Sequence, residues 1–264
     1  MSPLADARVL NTRPMGQAET LDAALIARGA HPVSFPCIEI APPDDPRPLA
    51  TAMQFLLARA FDCLVFTSAN AVSSVADALS GAKLPSGIRI AAVGEATAES
   101  VRATFGFDSV VVPGIQDAAG LAAELDAKMG DRILLPVSSI GRRDLADCLR
   151  ARGAEVTVVP AYRTRTGTGG ANLGPMLAAG ELDAVLFASP SAVDGFLERI
   201  EGLGYGLTDV QLIRVACIGP TTAARARERG FQSITTSSQQ TISGLLDAFE
   251  TALAPVRKGV VRCP

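Results

Sequence analysis

The sequence repeats itself at a spacing of about 124 residues. Arg8 is matched by Arg132, for example, and Gly120 is matched by Gly244 at the same offset. Five segments recur in the same order in both halves of the chain: 8–30 with 132–154, 61–68 with 182–189, 88–94 with 213–219, 106–107 with 230–231, and 120–121 with 244–245. This ordered set indicates two related halves, which constrains the fold more than any single motif does. The alternative is two βα units that are alike only in composition.

Each half is predicted to alternate short buried strands with amphipathic helices. Apolar runs end in small residues, and the segments between them carry leucines at helical spacing, such as Leu21 with Leu25 and Leu145 with Leu149. Strands that are buried on both faces and separated by helices are typical of parallel α/β sheets. The sequence therefore predicts two five-stranded parallel sheets. Their strands are expected at 9–10, 33–35, 63–66, 90–93, 110–112, 133–135, 156–159, 185–187, 215–218 and 234–235.

Two stretches predict where the chain passes between domains. Residues 42–48 include four prolines, and residues 163–170 are rich in threonine and glycine. If both stretches connect the same two domains, one domain is discontinuous and the other is inserted into it. The predicted domains are 1–37 plus 165–264 and 44–160, with linkers at 38–43 and 161–164. This arrangement predicts a two-stranded linker and a cleft between the domains, whereas a tandem cut near residue 130 would put both stretches inside domains.

Composition excludes several classes of protein. The 24 basic and 27 acidic residues give a net charge of −3, which argues against a nucleic-acid-binding protein. His31 is the only histidine, so a multi-histidine metal site is impossible, and we expect this side chain to be exposed in a turn. The five cysteines, at positions 37, 63, 148, 217 and 263, are widely spaced, which predicts reduced thiols without disulfides or zinc. With no signal-peptide pattern and no apolar run near ~20 residues, we expect a cytoplasmic protein without a membrane span.

A ligand site is expected where small polar residues follow the strands. In open parallel α/β sheets, ligands bind beyond the carboxyl ends of the strands, and helix N-termini there attract phosphate or carboxylate groups. Ser68, Ser189 and Thr221 each begin a predicted helix, so each is either a ligand contact or a plain helix N-cap. The segments with this character are 11–14, 67–70, 94–97, 136–139, 188–191 and 219–222.

Tyr162 is a candidate for proton transfer. It follows the strand predicted at 156–159, at the proposed link between the domains. A phenol there could face the cleft and donate a proton, or its ring could instead pack one domain on the other. The glycine motifs of dinucleotide-binding and P-loop proteins are absent from the sequence. Asp62 and Asp183 each precede a strand, which predicts surface positions for both.

Several motifs in order make the chain similar to one known family. They are Thr-Arg-Pro at 12–14, Phe-Thr-Ser-Ala-Asn-Ala-Val at 66–72, Ala-Val-Gly at 92–94, Pro-Ala-Tyr-Arg-Thr at 160–164, Phe-Ala-Ser-Pro-Ser-Ala-Val at 187–193 and Ile-Gly-Pro-Thr-Thr-Ala at 218–223. Together they resemble the uroporphyrinogen-III synthase family over all but about the last ten residues. The resemblance implies two flavodoxin-like α/β domains joined by a two-stranded linker. At 136–138 this sequence has Pro-Val-Ser, where many relatives carry a basic residue.

The resemblance also implies a function. It implies a lyase of tetrapyrrole synthesis that cyclises the linear, polycarboxylated hydroxymethylbilane with loss of water and inverts ring D through a spiro intermediate. No metal or organic cofactor is implied. Tyr162 would assist loss of the hydroxyl group, and Arg13 would pair with a substrate carboxylate. The other implied substrate-binding residues are Ser68, Asn70, Gly94, Ser189, Ser191, Gly219, Thr221 and Thr222. The protein would be a monomer, in transient contact with hydroxymethylbilane synthase.

Two other functions remain open from the residues alone. Two hinged α/β domains also describe a protein that binds a small anionic metabolite without catalysis. Flavodoxin-like domains also occur in enzymes that use a flavin or a nucleotide. Turnover of hydroxymethylbilane to the isomer with ring D inverted would distinguish the implied lyase from both of these alternatives.

Overall fold

The computed structural model describes residues 2–139, 144–211 and 213–253. The chain divides into two compact units, of which unit 1 is Met1–Glu39 with Arg165–Pro264 and unit 2 is Ile40–Thr164. In chain order the elements are β1 (Arg8–Asn11), α1 (Met15–Ile26), β2 (His31–Ser34), β3 (Ile38–Ala41), α2 (Arg47–Leu57), β4 (Cys63–Phe66), α3 (Ala69–Leu79), β5 (Arg89–Ala92), α4 (Glu95–Phe105), β6 (Val110–Val111), α5 (Ala118–Glu124), β7 (Arg132–Ser138), α6 (Asp144–Ala151), β8 (Glu155–Thr166), α7 (Leu173–Ala178), β9 (Ala184–Phe187), α8 (Pro190–Glu201), α9 (Leu207–Val210), β10 (Arg214–Cys217), α10 (Pro220–Glu228), β11 (Ile234–Thr236) and α11 (Ile242–Leu253).

The sheet of unit 1 has the strand order β2-β1-β9-β10-β11, and every pair in it is parallel. Counted along unit 1 this order is 2-1-3-4-5, the flavodoxin-like order, so the predicted fold class is confirmed. Both faces are covered because side chains alternate along each strand. Leu10 and Phe187 pack in one buried cluster with Phe196 of α8, whereas Val9 and Leu186 pack in another with α1 and α11.

The sheet of unit 2 has six strands, in the order β3-β8-β7-β4-β5-β6. The prediction of five strands is wrong here because β3, which lies in the predicted linker 38–43, is hydrogen-bonded to β8. The second predicted linker, 161–164, lies inside the long strand β8. The chain therefore passes between the two units within these two strands. All ten strands that the sequence predicted are present.

Each sheet combines strands from both halves of the sequence. In unit 1, β1 and β2 come from the first repeat and β9, β10 and β11 from the second. In unit 2 the contributions are reversed: the first repeat supplies β4, β5 and β6, and the second supplies β7 and β8. The repeat of about 124 residues is therefore not itself the folding unit.

Asp62 and Asp183 occupy matching positions in the two sheets. The carboxylate of Asp62 accepts the backbone N–H of Arg132 at 3.0 Å, and that of Asp183 accepts the N–H of Arg8 at 2.8 Å. Each aspartate thereby ties the start of its own strand to the start of the neighbouring strand. Both lie near the surface, as predicted, and Asp62 also forms an ion pair with the Arg132 guanidinium at 2.8 Å.

Replacing Asp62 by Asn is expected to remove part of the pH dependence of stability. The hydrogen bonds from Arg132 lower the pKa of Asp62 from 3.8 to about 2. A lowered folded-state pKa contributes stability above pH ~4, and this contribution is lost as the pH falls toward ~2. Since the side chain is 40% exposed, the expected loss at pH 7 is below ~1 kcal/mol.

Urea denaturation of both proteins, followed by circular dichroism between pH 7 and pH 2, measures this effect. The difference in free energy of unfolding between the wild type and Asp62→Asn should shrink as the solution is acidified. A difference that stayed constant from pH 5 to pH 2 would contradict the assignment.

Helix α8 lies unusually close to the backbone that leads out of unit 1. A Cβ atom added to Gly195 would lie 2.0 Å from the carbonyl oxygen of Cys37. One turn later, Arg199 donates to the carbonyl oxygens of Pro36 at 2.6 Å and Gly169 at 2.7 Å. Its guanidinium also stacks 3.6 Å from the ring centre of Phe35. This contact fixes the two segments of unit 1 that lead into β3 and out of β8.

The described cysteines are free thiols, and Cys263 lies outside the described residues. Burial raises the pKa of Cys63 to about 11 and that of Cys217 to about 12, so these thiols stay protonated near neutral pH. His31 is exposed at the start of β2, as predicted. Within the described part of the chain, no helix is long and apolar enough to cross a bilayer. The same residues contain no group of three His, Cys, Asp or Glu side chains that could hold a metal ion.

Candidate functional site

Each sheet reverses its strand order at one point, and polar residues lie there. In unit 1 the reversal falls between β1 and β9, and in unit 2 it falls between β4 and β7. Ligands of open α/β sheets bind beyond the carboxyl ends of strands at this position. Arg13 and Ser189 follow the strands in unit 1, and Ser68 and Ser139 follow them in unit 2.

Ser68 and Tyr162 form a hydrogen-bonded pair in unit 2. Ser68 is the N-cap of α3, because its Oγ accepts the backbone N–H of Ala71 at 3.2 Å. The same oxygen lies 3.0 Å from the phenol oxygen of Tyr162. The Tyr162 ring belongs to the core of unit 2, and the residue is 8% exposed. Within unit 2, the structure thus brings together the predicted catalytic residue and one predicted binding residue.

An irregularity in the sheet sets the position of Tyr162. The pairing of β7 with β8 shifts register between Val137 and Ser138, so that Ser138 is opposite Tyr162. Ser139 then donates to the Tyr162 carbonyl oxygen through its backbone N–H at 2.8 Å and its hydroxyl at 3.1 Å. The Ser138 hydroxyl is buried and has no hydrogen-bond partner among the described residues. Both serines lie in the polar segment 136–139 that the sequence predicts at a strand end, but only the pairing of β7 with β8 brings them beside Tyr162.

Gly94 and Gly219 occupy equivalent positions in the two units. Each is the N-cap of a helix that follows its strand, α4 in unit 2 and α10 in unit 1. The side-chain oxygen of Gln116 accepts the N–H of Glu95 at 3.2 Å, and a Cβ on Gly94 would lie 2.8 Å from that oxygen. A Cβ on Gly219 would lie 3.2 Å from the side chain of Gln240. These two glutamines, which match at an offset of 124, were missed by sequence reasoning although the repeat could have revealed them.

Arg13 is a half-buried cation that has no carboxylate partner in the described structure. It begins the loop after β1, where its backbone N–H donates to the side chain of Asn11 at 3.0 Å. Its guanidinium reaches Gln17 at 3.4 Å, while its Nε is buried without a partner. Burial lowers the pKa of Arg13 from its ordinary value. A partly desolvated cation without a counter-charge is well suited to bind an anionic group.

The remaining predicted residues lie in the first turns of three helices. Ser189 is the N-cap of α8, where it accepts the N–H of Ala192 at 3.2 Å and lies 3.1 Å from the hydroxyl of Ser191. Thr221 is not an N-cap, contrary to one of its two interpretations, because Gly219 takes that position and Pro220 follows it. Thr222 is buried in the first turn of α10, and Asn70 is half-buried in the first turn of α3.

The predicted site residues therefore form one group in each unit. The group in unit 2 contains Tyr162, Ser68, Asn70 and Gly94, and the group in unit 1 contains Arg13, Ser189, Ser191, Gly219, Thr221 and Thr222. Only Arg13 among them carries a charge. Two parallel α/β units that have hydrogen-bond donors at their strand ends, with one cation that lacks a carboxylate partner, are typical of the α/β proteins whose ligands bind beyond the strand ends.

Comparison with known proteins narrows this class. A sequence model of uroporphyrinogen-III synthase HemD matches residues 19–247. The uroporphyrinogen-III synthase of Synechococcus elongatus is 30% identical over 257 residues, which cover 94% of this chain and 96% of that protein. The porphyrin biosynthesis protein HemD of Ruminiclostridium josui is 27% identical over 252 residues, and the match spans 93% of this chain but only 48% of that protein.

A solved structure supports the fold. A mutant uroporphyrinogen III synthase from the extremely thermophilic bacterium Thermus thermophilus is 21% identical and superposes with a TM-score of 0.60, covering 94% of this chain and 98% of that one. This likeness concerns the fold alone. The two sequence matches show that the chain belongs to the uroporphyrinogen-III synthase family.

Proposed function

We propose that this protein is a lyase that converts hydroxymethylbilane to uroporphyrinogen III. The observation that carries the proposal is the Tyr162 phenol, held 3.0 Å from Ser68 at the strand end where the sheet of unit 2 reverses its order. Family membership supports the same reaction. Loss of a hydroxyl group is assisted by a hydrogen-bond donor at the leaving oxygen, and the phenol O–H of Tyr162 supplies one.

The reaction begins at the hydroxymethyl group of ring A. Its C–O bond breaks with the electron pair on oxygen, the ring A nitrogen gives up its proton, and hydroxide and proton leave together as water while ring A becomes an azafulvene. Tyr162 stabilises the leaving oxygen by donating a hydrogen bond to it. Ring D then attacks the azafulvene carbon through its substituted carbon, and its N–H proton returns to the ring A nitrogen, which gives a spiro-pyrrolenine. The bond from the spiro carbon to the ring C methylene breaks, which leaves an azafulvene on ring C. The free α-carbon of ring D bonds to that methylene, and its proton restores the ring C N–H, so that ring D is inverted. Because the bilane also cyclises unaided without inversion, the main task of the protein is to hold one geometry.

The substrate carboxylates account for the other site residues. The bilane carries eight carboxylates, and the N-termini of α3, α8 and α10 present backbone N–H groups with partial positive charge. Gly94 and Gly219 carry no side chain at two strand ends, and the side chains of Gln116 and Gln240 occupy the space beside them. Arg13 supplies the one full positive charge, and the buried Ser138 hydroxyl supplies a further hydrogen bond near Tyr162.

The experiment that tests the proposal is an isomer assay. Freshly prepared hydroxymethylbilane is incubated with the protein, the products are oxidised, and the porphyrin isomers are separated by chromatography. A predominance of the type III isomer supports the proposal, and the type I isomer alone, as in a blank without protein, contradicts it. Tight binding of the bilane without turnover would favour the alternative of a binding protein without catalysis.

Replacing Arg13 by Gln is expected to raise KM about tenfold with a smaller change in kcat. A charge-assisted hydrogen bond contributes about 1.5–3 kcal/mol, and a bond made to the bound carboxylate throughout the reaction affects KM more than kcat. Arg28→Gln is the matched control, because Arg28 pairs with Asp247 at 2.6 Å and Glu250 at 3.4 Å. An unchanged KM in Arg13→Gln would remove Arg13 from the binding site.

The cellular setting belongs to the same proposal. Free thiols, of which Cys37, Cys63 and Cys217 are buried and Cys148 is exposed, suit the cytoplasm, where disulfides are rare. A substrate that cyclises by itself favours direct transfer from hydroxymethylbilane synthase, so the proposal includes a transient contact with that enzyme. It also includes action as a monomer.

A further inference from the structure

We propose that Ser68 is a positioning residue, which donates its hydroxyl hydrogen to Tyr162 and thereby leaves the phenol hydrogen free for the ligand. This assignment rests on the proposed function of Tyr162. It differs from the expected role of Ser68, which was direct contact with the substrate. In the present assignment Ser68 acts through Tyr162.

The hydrogen-bond inventory of Ser68 supports this direction. A serine hydroxyl has one hydrogen and two acceptor lone pairs. One lone pair is occupied, because Ser68 accepts the N–H of Ala71 at the N-terminus of α3. That N–H and the partial positive charge of the helix end draw electron density from Oγ, which makes the serine hydroxyl a better donor. Donation to Tyr162 over the 3.0 Å distance completes a chain from the helix to the phenol.

Burial restricts the position of the Tyr162 phenol. Tyr162 is 8% exposed and its ring is packed in the core of unit 2, so the phenol has few positions to choose from. Its backbone is held by Ser139, whose N–H and hydroxyl both donate to the Tyr162 carbonyl oxygen. Among the described residues, the phenol oxygen lies within hydrogen-bond distance of the Ser68 hydroxyl. Removing the Ser68 hydroxyl would therefore leave the ring in place and free the direction of the phenol hydrogen, while loss of the cap bond to Ala71 would cost about 1 kcal/mol of stability.

The equivalent serine in unit 1 lacks such a partner, which shows that the cap does not require one. Ser189 is also an N-cap, accepting the N–H of Ala192 at 3.2 Å, but its hydroxyl lies beside Ser191 at 3.1 Å. The position that matches Tyr162 at the offset of 124 is Ile38, which has no polar side-chain atom. The phenol and its serine partner are thus particular to unit 2.

A double-mutant cycle tests the proposal through activity. Ser68→Ala is expected to lower kcat about tenfold with KM changed less than twofold, and Ser68→Thr, which keeps the hydroxyl, should retain activity. In the Tyr162→Phe background, Ser68→Ala should have less than a twofold further effect, because the group through which it acts is already gone. Ser73→Ala, on the exposed side of the same helix, is the matched control and should leave kcat unchanged.

A spectroscopic measurement tests the pair without substrate. The chain has only two tyrosines, so ¹³Cζ-labelled tyrosine gives two resonances, and Tyr205, which donates to the Gly174 carbonyl at 2.8 Å, is an internal reference. Ser68→Ala should shift the Tyr162 resonance and leave that of Tyr205 unchanged. An equal loss of kcat in both Tyr162 backgrounds, or an unshifted Tyr162 resonance, would overturn the proposal. If the wild type gives only the type I isomer, the proposed function fails, and the resonance alone decides whether the pair exists.

Discussion

Replacing Tyr162 by Phe is expected to reduce the rate of uroporphyrinogen III formation about 100-fold. Positioned proton donors contribute about 10²- to 10⁴-fold to catalysis, and a phenol that assists by hydrogen bonding belongs at the lower end of that range. The phenylalanine ring fits the same place in the core, and the Ser68 hydroxyl keeps its bond to Ala71. The stability of the variant should therefore change by less than about 1 kcal/mol. Initial rates from separated isomers, together with thermal denaturation, measure both expectations.

Tyr205→Phe is the control for this substitution. Tyr205 is the other tyrosine of the chain, and its hydroxyl donates to the Gly174 carbonyl oxygen in unit 1. Its removal costs a similar hydrogen bond without touching the candidate site, so kcat should be unchanged. Full activity in Tyr162→Phe would show that the phenol takes no part in the reaction. The Tyr162 hydroxyl would then have only a structural role.

Replacing Gly195 by Ala is expected to destabilise unit 1 by about 3 kcal/mol. The added Cβ would lie 2.0 Å from the Cys37 carbonyl oxygen, and the atom it meets is backbone, which cannot rotate away. Helix α8 would have to move outward, weakening the bonds from Arg199 to Pro36 and Gly169. Overpacking of this kind costs about 1–3 kcal/mol or more, which corresponds to a Tm lower by roughly 10 °C.

A second glycine on the same helix provides the control. Gly202, at the end of α8, has a φ of −60°, and its Cβ would be no closer than 3.4 Å to any neighbouring atom. Gly202→Ala should therefore be neutral or slightly stabilising. Because the chain has no tryptophan, urea and thermal unfolding are best followed by circular dichroism. Equal stabilities for the two variants would show that α8 has room to move and that the close approach is not needed.

Local patterns in the sequence were sufficient to predict ten strands and the parallel α/β class. Short apolar runs bounded by small polar residues occur once per strand, and the repeat allowed each assignment in one half to be checked against the other. Strand β3 was missed because its four residues, Ile38–Ala41, are followed directly by the proline-rich stretch. Strand β3 pairs with β8, which lies far from it along the chain. No local sequence pattern contains information about that partner.

The candidate site was predictable as a set of strand ends but not as a geometry. The bond between Ser68 and Tyr162 joins residues 94 positions apart, and it depends on the register shift at Val137 and Ser138. The interpretation of Thr221 as an N-cap was wrong because a glycine in extended conformation, Gly219, served as the cap instead. The absence of partners for the Arg13 Nε and the Ser138 hydroxyl among the described residues likewise follows from burial in the folded units, not from residue type.

The exchange of strands between the two repeats bears on how such a chain could have arisen. A protein of half this length, made of one repeat, would have had every strand needed for one sheet. In the observed connectivity, however, its first two strands would have completed the sheet of a second copy, as in a domain-swapped homodimer. Gene duplication and fusion would turn that exchange into an intramolecular one, so that assembly no longer depended on protein concentration. The two copies were then free to diverge, and only the second needed to place a tyrosine beside the capping serine that the first contributes.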